Sequence, residues 1–182
     1  MNREEAFKIL DELSNSPNMK KHALATEAVM RALAARFEPQ KEEDYALTGL
    51  LHDADYEATE KSLEKHTDLV TEKISAKVAP AVIEAIRGHC DKEERKTTMA
   101  KSIYAADELT GLIIATTLVH PDKKLASISL ESVLKKFKDP SFARGAARDQ
   151  IKTCEAKLGI TLPEFCEIAL LAMQNIAPDL GL

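Results

Sequence analysis

The chain has no tryptophan, three tyrosines and five phenylalanines among 182 residues, so aromatic packing adds little to any core it forms. Its three cysteines, Cys90, Cys154 and Cys166, are odd in number and far apart, with no Cys-x-x-Cys pair. That spacing suggests neither a disulfide framework nor a zinc ribbon, and suits reduced thiols in a cytoplasm. Alternating apolar and polar residues, the mark of a half-buried strand, are nearly missing. No apolar run approaches membrane-spanning length, and the opening segment MNREEAFKIL is charged and amphipathic, without the apolar stretch of a signal peptide. The net charge is −5 and the isoelectric point about 5.6, which argues against a partner such as extended nucleic acid or an anionic membrane. The expectation is a soluble, cytoplasmic protein.

Alanine, leucine and charge are abundant instead, with 45% apolar and 30% charged residues. Such a composition favours helices packed through small side chains, and the expected fold class is all-α. The length is that of one domain, residues 1–182. Periodicity predicts helices over 3–13, 17–37, a segment after Asp44 ending near His52-Asp53, 64–76, 80–89, 97–119, 129–137, 141–158 and 162–177. Ser16-Pro17 and Pro80 open two of them, Gly159 stops another, and Thr161 with Glu164 forms a capping box for the last. Residues 54–62 are polar and read as irregular, with Asp55, Glu57 and Glu60 as solvated loop residues beside a cavity mouth.

Against this apolar periodicity six residues stand out: His22, His52, Asp53, His66, His89 and Asp107. Positions i, i+3, i+4 and i+7 share a helix face. His22 lines up with Thr26, Val29 and Leu33, and His66 with Val70 and Ile74. His89 follows Val82 and Ile86, and Asp107 stands between Ile103, Gly111 and Ile114. Any one of these alone reads as a core histidine bonded to a carbonyl, or as a capping acid. Four of the five histidines and two acids on inward faces of successive helices are a different matter. A buried carboxylate costs several kcal/mol unless compensated, and the common compensator of converging imidazoles and carboxylates is a transition metal. His120, ahead of Pro121 at a helix end, reads as a surface or C-cap residue. Gly49 and Gly111 each sit one turn from a candidate ligand, where a neighbouring backbone can come close.

At these residues the chain resembles the HD superfamily of metal-dependent phosphohydrolases. The matching pieces are His22 in KHALATEAVM, His52-Asp53 in LTGLLHDADYE and Asp107 in IYAADELTGLI, over about residues 18–118. The stretch HTDLVTEKISAKVAPAVIEAIRGHC adds His66 and His89 and resembles the variant with two further histidines. The resemblance implies an HD-domain helical bundle, extended by C-terminal helices over about 119–182. It implies that His22, His52, Asp53 and Asp107 bind one divalent transition metal ion (Fe, Mn, Co, Ni or Zn). His66 and His89 would bind a second, with Asp53 bridging and Asp53 and Asp107 as catalytic residues. The implied activity is hydrolysis of a nucleotide or another small phosphoester through a metal-activated water. A mixed-valent di-iron oxygenase of the same superfamily and a non-catalytic nucleotide sensor remain alternatives. Many relatives carry Ile-Gly-Lys after the His-Asp doublet, whereas this chain has Ala54-Asp55-Tyr56 and so lacks a lysine to meet a phosphate. The Gly-Tyr-Pro segment of the cyclic-di-nucleotide branch is missing too. Candidate phosphate-binding cations are Lys65, Arg87 and, in the basic stretch KKFKDPSFARGAARDQ, Lys135, Lys136, Lys138, Arg144 and Arg148. That stretch is a candidate cover for the pocket. The apolar FCEIALLAMQNIA reads as core, or as the face of a homodimer.

Overall fold

A computed structural model describes residues 1–182 as ten helices without strands. They are α1 (Arg3–Glu12), α2 (Pro17–Phe37), α3 (Glu42–Leu51), α4 (Asp68–Ile74), α5 (Pro80–His89), α6 (Thr98–Val119), α7 (Leu130–Phe137), α8 (Arg148–Thr153), α9 (Leu162–Asn175) and α10 (Ala177–Leu180). Local chemistry sets most starts. Asn2 and Glu5 form a reciprocal capping box on α1, and Ser16 caps α2 with Pro17 at its first position. Thr97, Ser129 and Thr161 cap α6, α7 and α9. At Thr161 only half of the expected box forms, because the Glu164 carboxylate pairs with Arg36 at 3.4 Å instead.

Two predicted helices are shorter than their periodicity suggests. The segment over 64–76 is helical only from Asp68, since turns occupy residues 52–67. The segment over 141–158 begins only at Arg148 and ends in one π-turn, Cys154–Leu158, stopped by Gly159 at φ +70°. The Arg148 guanidinium accounts for the lost turns. It donates to the carbonyls of Lys136, Phe137, Asp139, Phe142, Ala143 and Ala146, winding the chain around itself rather than into a helix.

One contiguous core of 42 buried apolar residues runs from Ala6 to Leu180, so the C-terminal helices share the core of the N-terminal ones. Its axis is α6, against which α2, α5, α7, α8 and α9 pack. By length and composition α6 could cross a membrane, which amends the expectation that no run approaches that length. Most of its apolar residues are taken up by this packing, and Leu118 and Val119 at its C-terminal end are exposed. The crossing of α2 and α3 is the tightest. A Cβ built on Gly49 would lie 2.7 Å from the Thr26 carbonyl oxygen, so only glycine lets the two backbones meet there. Gly111 has no such role: a Cβ there would meet nothing within 4 Å, because it faces open cavity.

Candidate metal centre

The Gly49 crossing brings His22, one turn before Thr26, against His52, at the end of α3. Their Nε2 atoms are 3.1 Å apart. His66 follows the turns that lead into α4, His89 ends α5, and their Nε2 atoms are also 3.1 Å apart. Asp53 lies between the two pairs. Its Oδ2 is 3.6 Å from His22 Nε2 and 3.7 Å from His52 Nε2. Its Oδ1 is 3.1 Å from His66 Nε2 and 3.2 Å from His89 Nε2. Asp107 on α6 closes the first pair, with Oδ1 3.0 Å from His22 and 3.4 Å from His52.

The far sides of the rings fix what these contacts mean. His52 Nδ1 is 2.9 Å from the Gly49 carbonyl and His89 Nδ1 is 2.5 Å from that of Ile86. A carbonyl only accepts, so each Nδ1 carries a hydrogen, and Nε2 is the atom left to offer a lone pair to a metal. Those lone pairs face each other's partner and the carboxylate oxygens. Acceptors converging on acceptors leave a hole for a cation, and imidazole nitrogen with carboxylate oxygen is the donor set of a divalent transition metal.

The charges agree. Burial opposes a charged Asp53, yet His52, His66 and His89 outweigh it and hold its carboxyl well below the usual range. Burial likewise opposes ionised Asp107, and His22 and His52 pull its pKa down. Burial works against protonated His66, but the Asp53 and Asp55 carboxylates raise it to about 9. His22 is raised as well, its burial outweighed by Asp107 and Asp53. Each shift shows the same preference for positive charge in this hole.

Asp55 was expected in solvent and is fully buried. Its Oδ1 accepts from His66 Nδ1 and from the Thr67 amide, both at 2.8 Å, and its Oδ2 from the Val70 amide at 3.1 Å. One carboxylate thus orients a candidate ligand and caps α4, whose own Thr67 makes no cap and lies at φ +73°. Glu57 accepts from the Ser16 amide at 2.6 Å, and Glu60 is exposed as expected. His120 is the C-cap residue of α6. Two neighbours escaped the sequence reading. Tyr56 packs edge-on against His66 at 5.3 Å between ring centroids, and Cys90 sits on the cavity wall. Adjacency to the His-Asp doublet and to His89 was the available signal for both.

A cavity of about 610 Å³ opens onto the cluster. Asp53, Asp91, Asp107 and Glu108 contribute carboxyl groups to its wall, and no Lys or Arg does. The cations expected there lie elsewhere. Lys65 is exposed beside Asp68, and Arg87 pairs with Asp68 at 2.9 Å and with Glu93. Lys136 covers the Phe142 ring, Lys135, Lys138 and Arg144 are exposed, and Arg148 is spent on carbonyls. Their stretch does reach the cavity, through the small residues Ala143, Gly145 and Ala146. Glu108 ties it down by accepting from the Ala147 amide at 3.0 Å.

The family model of the HD domain matches residues 19–112, just over half of the chain. The chain belongs to the HD-domain family. The match takes in His22, the His52-Asp53 doublet, His66, His89 and Asp107. HD domains bind divalent metals and are typical of metal-dependent hydrolases, and the clustered His and Asp donors fit that chemistry. No curated protein and no solved structure matches the chain.

Proposed function

We propose that this HD-domain protein is a phosphohydrolase that cleaves a small phosphoester with two divalent metal ions. The observation that carries the reading is Asp53, whose two oxygens face separate histidine pairs. His22, His52, Asp53 and Asp107 would hold one ion, and His66, His89 and Asp53 the other. Ions held there would supply Lewis acidity, which lowers the pKa of a water to about 7 and offsets charge on a phosphoryl group. The chain supplies the geometry. Gly49 O, Ile86 O and Asp55 hold the three Nδ1–H groups, so the rings cannot swing away from the cavity. Asp107 turns Oδ1 to the imidazoles, which leaves Oδ2 to accept a hydrogen bond from the attacking water and orient it.

The cavity wall supports a finer reading. Beyond the two carboxylates assigned to the ions, Asp91 and Glu108 line the wall and no Lys or Arg does, which suits a substrate of low negative charge better than a triphosphate. Met19 and Leu63 at the wall give an uncharged portion an apolar surface. The decisive experiment combines elemental analysis with phosphate release from a panel of monoesters, diesters and nucleoside triphosphates. About two ions per chain and turnover lost in Asp53→Ala support the reading, whereas a metal-free protein of full activity sinks it.

The missing cations also favour a second reading, a di-iron oxygenase of the same superfamily built on the same six side chains. Iron as the retained metal, with oxygen uptake and no phosphate release, would select it.

A further inference from the structure

We propose that the Cys90 thiolate is a metal ligand, completing the outer half of the centre with His66 and His89. The inference rests on the two-metal reading and is independent of which reaction the centre performs. One donor atom each from His66, His89 and Cys90 lies within 4.8 Å of the other two. Rotation of the loosely held Cys90 side chain toward the fixed rings would close that spread onto one ion, given metal–nitrogen and metal–sulfur distances of about 2.1 and 2.3 Å.

Consecutive residues of a continuous helix point about 100° apart and do not serve one site. Here the helix ends between them. His89 is the last residue of α5, and Cys90, at φ −107° and ψ 24°, is its C-cap. The break lets both side chains reach the same cavity wall. Sγ is also loosely held. It lies 3.5 Å from the Arg87 carbonyl and 3.8 Å from Thr67 Oγ1, whose hydroxyl can donate to a thiolate. Cys154 and Cys166 contrast with it, being fully buried in the core and away from every candidate ligand group.

Binding removes the thiol proton to solvent and moves no electron. The outer site would then hold two imidazoles, a thiolate and one oxygen of Asp53, while the inner site has nitrogen and oxygen alone. Sulfur favours zinc, cobalt or ferrous iron and disfavours magnesium and manganese. The two ions therefore sit in sites of different softness.

The test uses the full chain, freed of metal and reloaded with cobalt for absorption spectroscopy and with zinc for X-ray absorption. Expected are two ions per chain, a near-ultraviolet thiolate-to-cobalt charge-transfer band, and sulfur at about 2.3 Å from zinc. Cys90→Ser should lose the band, keep the first ion, and bind the second at least about tenfold more weakly. Cobalt at saturation without the band, at one or two ions per chain, overturns the proposal. So does a band that survives in both Cys90→Ser and Cys90→Ala. A protein inert toward every phosphoester but showing the band leaves the ligand assignment standing and removes only the hydrolase reading. A chain that binds no cobalt removes both.

Discussion

Asp55 orients His66, one side chain of the candidate centre, without facing the hole between the histidine pairs. Its carboxylate fixes the His66 tautomer and caps α4 in one arrangement. Partners of this kind typically change metal affinity by about 10- to 100-fold when altered. Asp55→Asn should weaken the second ion by that range and leave the first in place, read by competitive chelator titration. Second-ion affinity unchanged from the native chain would show that Asp55 serves the helix cap alone. Asp53 stands between the two histidine pairs and should behave differently. Asp53→Ala is expected to lose both ions, His66→Ala only one, with helical circular dichroism retained in each. Two ions retained by His66→Ala would misplace that ligand.

Among the elements, the α2–α3 crossing and the segment before α8 decide the shape of the cavity. Gly49→Ala puts a methyl group 2.7 Å from Thr26 O and 2.9 Å from Glu27 N, backbone atoms that cannot step aside. Separating the helices should cost about 1–3 kcal/mol and part His22 from His52, so lower melting temperature and weaker first-site binding are expected together. Binding unchanged in a destabilised protein would uncouple crossing from centre. Arg148 gathers six carbonyls into the cover of the cavity. Arg148→Met keeps the stem and loses the donors, which should cost roughly 2 kcal/mol. Proteolysis over 139–147 should quicken and the KM of any substrate found should rise, with two ions still bound. A loop as protease-resistant as before would deny Arg148 this role.

For the molecule as a whole, metal and pH act through different groups. Ions that bind only the folded chain stabilise it by mass action, about 2.7 kcal/mol at a hundredfold excess over Kd. Chelation should therefore lower the melting temperature, and zinc or cobalt restore it. Alkaline stability has a separate origin. Burial pushes the Tyr45 phenol up, and its hydrogen bond to Glu38 at 2.8 Å adds to the shift. A group whose folded pKa is raised contributes stability that is complete below its unfolded value, near 10, and is lost as pH rises above it. Melting temperature should thus fall above about pH 10 less steeply in Tyr45→Phe than in the native chain. Parallel profiles would place the alkaline transition elsewhere.

Helix class, inward faces and ligand types were legible because helical periodicity is local. His22 above Thr26 and Val29, or His89 after Val82 and Ile86, follows from 3.6 residues per turn and needs no knowledge of a partner. The caps at Ser16 and Thr161 were legible for the same reason. Residues 54–62 were legible as irregular, whereas 63–67 and 139–147 were not, because turns fastened by single side chains, Asp55 and Arg148, take the place of a repeating pattern. Asp55 reads as a loop acid until the amides of Thr67 and Val70 are brought to it, and Arg148 as a surface cation until six carbonyls surround it. Cys90 carries no periodic signal either, since a helix end turns it toward His89. The sequence by itself determined that these helices bury imidazoles and carboxylates. Only the tertiary structure decided that Asp53 stands between two pairs and that no cation reaches the cavity, because such placement depends on which helices cross and how closely.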